Sequence, residues 1–136
     1  MFNSISDWFS DIKEEMNCLA QQQREAELDL LILMMYADRN IDDNENSNIA
    51  KQSNSLRWEN KEYHVSLYID KTVAKVRNII TDKEKLSLFI EDISTRLDDK
   101  ETKDSAFVSV EKFMEIDFDI SEKERELLAT IKEIFA

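Results

Sequence analysis

A chain of 136 residues that contains no glycine and no proline has few ways to turn. Tight hairpins between strands depend on φ > 0, which glycine adopts freely and which only Asn and Asp could supply here. Apolar residues recur at a 3.6-residue period in nearly every segment, as they do in helices with one buried face. The expectation is therefore an all-α fold: a single compact domain over residues 1–136, with about seven helices and short links of Asp, Asn, Ser, Thr and Lys. A chain of this length can bury a real core.

The stretch from Leu28 to Glu45 organises the rest. Leu28, Leu31, Ile32 and Met35 fall at i, i+3, i+4 and i+7, while Leu30, Leu33, Met34 and Ala37 fill the other sides. A helix apolar all round is buried, and this run is far short of the roughly 20 residues that span a bilayer. It predicts a central core helix that breaks abruptly into an acidic turn.

The other helices pack around it. Ile5, Trp8, Phe9, Ile12, Met16 and Leu19 line a first amphipathic helix within residues 1–25, expected to pack on the domain. The polar passage Gln21 to Arg24 either separates it from the central helix or continues into it. A third helix is expected from Asp42 to Trp58, with Ile49 and Leu56 inward. Val65, Tyr68, Ile69, Val73, Val76, Ile79 and Ile80 mark a fourth. Thr81 to Glu84 reads as a capping box opening a fifth, with Leu86, Phe89, Ile90, Ile93 and Leu97 inward. Asp98 to Asp104 is the most charged stretch and is expected to be the loosest link. Phe107, Val110, Phe113 and Met114 mark a sixth helix. Ser121 and Glu124 cap a seventh, with Leu127, Leu128, Ile131, Ile134 and Phe135 inward.

Thirty acidic against 18 basic residues leave a net charge of −12. Nucleic-acid binding needs a basic face to track phosphates, and none is visible. An anionic membrane surface would repel the chain for the same reason. A divalent cation or a basic protein partner suits the balance, as does a simple solvated surface. Cys18 is the only cysteine and His64 the only histidine, so a disulfide, a zinc site or a nucleophilic triad is poorly supported. Cys18 is expected to be a small buried residue. The N-terminus lacks the basic and apolar regions of a signal peptide, which makes a cytoplasmic location the expectation.

The motif that stands out is used twice. Asp38-x-Asn40-Ile41-Asp42-x-x-Glu45 follows the central helix, and Asp117-x-Asp119-Ile120-Ser121-x-x-Glu124 follows the sixth. Asp38 continues the Leu31 and Met35 stripe, and Asp117 extends the stripe of Val110 and Met114. Glu45 stands four residues before Ile49, and Glu124 four before Leu128. All four carboxylates fall on inward sides at helix ends, where they need hydrogen bonds, a cation or a proton. In one reading Asp42 and Ser121 are N-caps, Glu45 and Glu124 complete capping boxes, and each cap is worth about 1 kcal/mol. In the other, Asp38, Asn40, Asp42 and Glu45, with Asp117, Asp119 and Glu124, offer oxygens to a hard cation such as Ca²⁺ or Mg²⁺. The first turn is not an EF-hand loop, because Asp43 and Ile49 occupy the positions of its Gly and Glu.

The twice-used pattern, Ala37-Asp38-x-x-Ile41-Asp42-x-x-Glu45 and Asp117-x-x-Ile120-Ser121-x-x-Glu124-x-x-Leu127-Leu128, resembles the tellurite-resistance TerB family. It is also similar to the N-terminal domain of DjlA-type co-chaperones. The resemblance runs from about residue 26 to the end. It implies an all-helical fold with an internal two-fold repeat of helix, acidic turn and helix, acids gathered to hold metal, and a role in stress response or membrane-associated complexes. Asp38, Asp42, Glu45, Asp117 and Glu124 are the matching acids. The family's glycine is replaced by Arg39 in the first turn and Phe118 in the second, and Arg39 offers Asp38 an internal cation.

Two functions follow as expectations. The first is a non-enzymatic binding or scaffold module that holds a divalent cation and meets a protein partner, with no nucleic acid and no membrane insertion. The alternative is a purely structural interaction protein, dimer or adaptor, whose acidic turns are caps and which docks through Phe2, Trp8 and Phe9.

Overall fold

The structure, a computed structural model, describes residues 12–37, 51, 53, 54, 56–59, 64–114 and 121–136, without the side chains of 113 and 114. Every regular element among them is helical. α1 covers residues 12–17, followed by α2 (Gln21–Met35), α3 (Val65–Ile79), α4 (Lys83–Leu97), α5 (Lys100–Met114) and α6 (Glu122–Phe135). The all-α expectation holds. Residues 51 and 53 are helical as well, so the described residues do not decide whether there are seven helices, and the repeat falls largely on residues 38–50 and 115–120, which lie outside them.

α2 is the axis of the fold. It packs against α3, α4 and α5, while α6 closes on α4 and α5. From Ala26 to Met35 every residue of α2 is buried, so the central-helix expectation is met. The helix begins earlier than its apolar run, at Gln21. Ala20 stands at its N-cap, and its N–H donates to the Gln23 side chain at 3.3 Å. The polar passage is thus the first turn of α2, separated from α1 by residues 18–20.

The outer helices bury the stripes read from their spacing. Val65, Ile69, Val73, Val76 and Ile79 of α3, Phe89, Ile90, Ile93 and Leu97 of α4, Val110 of α5, and Leu127, Ile131 and Phe135 of α6 join one core with α2. Tyr68, Ile80, Leu86, Phe107, Leu128 and Ile134 pack against its edge. Among the described residues no helix is long and apolar enough to cross a membrane.

The joints differ from expectation in four places. Cys18 is exposed rather than buried, because the inward positions of α1 are Ile12 and Met16, four apart, and Cys18 falls off that stripe. Asp82, not Thr81, caps α4; its carboxylate accepts from the Lys85 N–H at 3.1 Å, which leaves Glu84 as a first-turn acid facing the helix dipole. The third helix does not run to Trp58. The chain is non-helical over residues 56–59, where the Arg57 and Glu59 N–H groups donate to Asn17 Oδ1 (2.7 Å) and Gln21 Oε1 (2.8 Å) instead of to helix carbonyls.

The charged link after α4 is two residues long, not seven. Asp98 has φ 75° and ψ −80°, and the Asp99 N–H donates to the Leu97 carbonyl at 3.0 Å. This is a γ-turn of the rare positive-φ kind, a strained state costing on the order of 1–3 kcal/mol. Here an aspartate does what glycine does elsewhere. Asp99 then caps α5 by accepting from the Thr102 N–H at 2.8 Å. Gln23 of α2 holds the turn from below, its Nε2 donating to the Leu97 carbonyl at 2.9 Å.

Candidate functional site

Of the seven residues expected to hold a cation, Glu124 alone lies among the described residues; Asp38, Asn40, Asp42, Glu45, Asp117 and Asp119 lie outside them. Glu124 is inward as its spacing implies, with 2% exposure. It completes a reciprocal capping box at the start of α6. The Glu124 N–H donates to Ser121 Oγ at 3.1 Å, and the Ser121 N–H donates to Glu124 Oε1 at 3.2 Å. One carboxylate oxygen is therefore committed to the helix start. Ahead of Asp38, α2 closes with the Tyr36 N–H on the Ile32 carbonyl and the Ala37 N–H on that of Met34. Phe2, Trp8 and Phe9 also lie outside the described residues. Among the described residues no three His, Cys, Asp or Glu side chains gather in a metal-binding group.

The chemistry that the structure does assemble sits on α2 itself. Three charged residues, Arg24, Glu27 and Asp29, are buried with 2%, 3% and 4% exposure. Asp29 is the best furnished. Its Oδ1 accepts from the Tyr68 hydroxyl (2.9 Å) and the Thr72 hydroxyl (3.1 Å), both on α3. Its Oδ2 accepts from Arg96 Nη2 of α4 at 2.6 Å. Arg96 is shared with Asp92, one turn back on α4, through Nε at 2.9 Å. The Trp58 ring lies tilted on Tyr68 at 5.2 Å between centroids, which puts the non-helical segment over this centre.

Burial pushes the Asp29 carboxyl up, against the Arg96 charge and the Arg96, Tyr68 and Thr72 hydrogen bonds. Three donors on two oxygens suit the ionised form, since a protonated carboxyl would have to donate from one of them. We therefore assign Asp29 as a carboxylate. Arg96 is correspondingly held up: burial opposes its charge, and the Asp29 carboxylate more than restores it. Burial, followed by the Asp29 charge, drives the Tyr68 phenol upward, so it stays a neutral donor.

Arg24 works on the α1–α2 joint. Its Nε donates to the Met16 carbonyl at 3.2 Å, Nη1 to Gln21 Oε1 at 2.9 Å, and Nη2 to the Leu19 carbonyl. It thus caps the C-terminal end of α1 with a cation, where the helix dipole favours one. Glu27 lies one turn further along α2; burial, then the Glu15 carboxylate of α1, push its carboxyl up to about 7, against a hydrogen bond from Ser109 of α5 that favours the ionised form.

The reading from spacing did not single out these residues, although signals for several were present. Asp29 lies inside, and Glu27 immediately before, the stretch from Leu28 that reads as buried on every side, so an inward carboxylate is expected at Asp29. Thr72 stands four residues after Tyr68, on the same stripe. Arg96 adjoins Leu97 at the inward edge of α4. The pairing of Asp29 with Arg96, 67 residues apart, depends on how helices cross and left no local trace.

These features define the class as a helical bundle whose central helix carries charged groups into the core. No family model, curated protein or solved structure matches the chain.

Proposed function

We propose that this chain is a non-enzymatic, TerB-like binding or scaffold module of the cytoplasm, holding a divalent cation at its acidic inter-helix turns and meeting a protein partner. The observation that carries the reading is Glu124. This acid of the repeated motif is buried at the start of α6, at 2% exposure, and Asp117 and Asp119 precede it in the sequence. An inward carboxylate calls for hydrogen bonds, a proton or a positive charge, and the motif's further acids would favour the last. The offered donors are all oxygen, the set that hard cations such as Ca²⁺ and Mg²⁺ select. The family resemblance supports the same assignment, position by position, for Asp38, Asp42, Glu45 and Asp117.

A second reading has its own observation. The Ser121 and Glu124 capping box gives Glu124 a complete structural task, and the same task extends by analogy to Asp42 and Glu45. The turns are then architecture, and function lies at a protein-binding surface. Calorimetric titration of metal-stripped protein with Ca²⁺, Mg²⁺, Mn²⁺ and Zn²⁺ separates the two. The first reading expects one ion to bind stoichiometrically at micromolar affinity or tighter, and an Asp38→Ala/Asp117→Ala variant to lose it. No binding by the folded protein overturns it in favour of the second.

A further inference from the structure

The charge of this chain is unevenly spread. From residue 71 to residue 85 five cations, Lys71, Lys75, Arg77, Lys83 and Lys85, stand against two carboxylates, Asp82 and Glu84, a net of +3 in a chain of −12. The rest therefore carries −15. This segment forms the corner where α3 ends and α4 begins, and Phe89 fixes part of the arrangement. Lys75 Nζ of α3 lies 5.2 Å from the centre of the Phe89 ring of α4, and Lys85 precedes Phe89 by one helical turn, on the same stripe. On the other flank of α3 the Arg77 guanidinium lies 5.2 Å from the Tyr36 ring centre. A cation that rests on a ring is placed without being neutralised. Among the described residues no carboxylate is ion-paired with Lys75, Arg77, Lys83 or Lys85, whereas Arg96 and Lys100 are paired.

We propose that the α3–α4 corner is a docking surface for an acidic, amphipathic segment of a partner protein. This rests on the protein-partner part of the reading above and is independent of the cation. Apolar groups complete the surface. Leu88 is 59% exposed and Leu67 48%, and each lies within one turn of a lysine of the corner, Lys85 and Lys71 respectively. Carboxylates of the partner meet the ammonium groups, and its apolar side chains cover the two leucines.

The distribution of charge favours this occupant over others. A nucleic acid or a membrane extends well beyond the corner and would run onto the acidic remainder, where its phosphates are repelled. A small anion would leave the leucines uncovered. A short segment engages the corner alone. At physiological salt exposed charges more than about 8 Å apart are largely screened, so the segment responds to the cations it touches rather than to the charge of the whole chain. Asp70 and Glu91, exposed on α3 and α4, stand at the edges of the corner and limit the length of acidic run that fits.

The test is fluorescence anisotropy of a labelled peptide of about 12 residues, with glutamates on one helical face and leucines on the other. It is titrated with the full chain in metal-free buffer, so that a failure here leaves the cation reading standing. Binding is expected at about 50 mM salt and should weaken about tenfold by about 300 mM. Lys75→Gln/Lys85→Gln should weaken it about fivefold, mainly by slowing association. Lys123→Gln/Lys132→Gln removes the same charge from exposed positions of α6 and should stay within about twofold of the wild type. A matched peptide with glutamine for glutamate should not bind. No binding by the wild type, binding that ignores salt, an equal loss in the two double variants, or equal binding of the glutamine peptide overturns the proposal. So does tighter binding of single-stranded DNA of the same charge. The salt and glutamine-peptide arms need no variant. Sedimentation of the wild type alone covers the remaining occupant: self-association that Lys75→Gln/Lys85→Gln abolishes gives the corner to a second copy and overturns the partner segment.

Discussion

Asp29 and Glu27 are two acids, two residues apart on one buried helix, and they have opposite surroundings. Asp29 faces α3 and α4 and meets a guanidinium and two hydroxyls. Glu27 faces α1 and α5 and meets one hydroxyl and another acid. Similar burial thus leads to different chemistry. A low-dielectric interior raises the energy of any charge, and the donors available decide whether the group keeps it. Asp29 ties three helices together as an ion. Glu27 holds its place near neutrality as an acid with a proton.

The most disruptive way to break the contrast is Arg96→Met. It strips Asp29 of its cation and leaves a buried carboxylate with hydroxyl donors alone, so denaturant unfolding should show a loss of about 3–5 kcal/mol. Adding Asp29→Leu to the same chain should recover most of that loss, because an apolar pair of similar volume avoids the desolvation cost. If the double variant is as unstable as the single one, the unpaired charge is not what Arg96→Met exposes.

A smaller effect, opposite in sign and dependent on pH, is expected at Glu27. Its folded carboxyl lies above the ordinary value of 4.5, at about 7, so the native state binds this proton more tightly than the unfolded chain does. Its contribution to stability is fully present below 4.5 and is lost as pH rises through about 7. Glu27→Gln, which keeps the shape of the neutral acid, should therefore match the wild type near pH 4.5. It should exceed it at about pH 8 by up to about 3 kcal/mol. Chemical denaturation at the two pH values measures the difference directly. A Glu27→Gln protein less stable than wild type at about pH 8 would place Glu27 with Asp29, among the charges the fold needs.

Much of the fold could be read without coordinates. Helix periodicity located the inward stripes of α3, α4 and α6 because each has one apolar face and one wet one. The Ser121 and Glu124 box could be read because both partners lie within one turn. What escaped was set by competition or by distance. Asp82 outcompeted Thr81 as a cap by presenting a carboxylate to the Lys85 N–H. Gln23, 74 residues away in sequence, supports Leu97, and that support lets the Asp98 turn stay short where charge alone suggested a loose link. Asn17 and Gln21 likewise draw residues 57 and 59 out of helical bonding. Among the candidate site residues, the inward placement of Glu124 was legible from its spacing to Leu128 and Ile131. The acids on α2 were hidden by the very apolar run that surrounds them.

One helix thus holds an ionised acid, Asp29, and an acid of raised pKa, Glu27, two residues apart. Carboxyl ¹³C NMR of selectively labelled protein, titrated across the neutral range with Glu27→Gln as the assignment control, tests this contrast most directly. The account predicts a Glu27 carbon that titrates with a midpoint of about 7, while the Asp29 carbon keeps the shift of an ionised carboxylate throughout. A Glu27 midpoint in the ordinary range near 4.5 would contradict it.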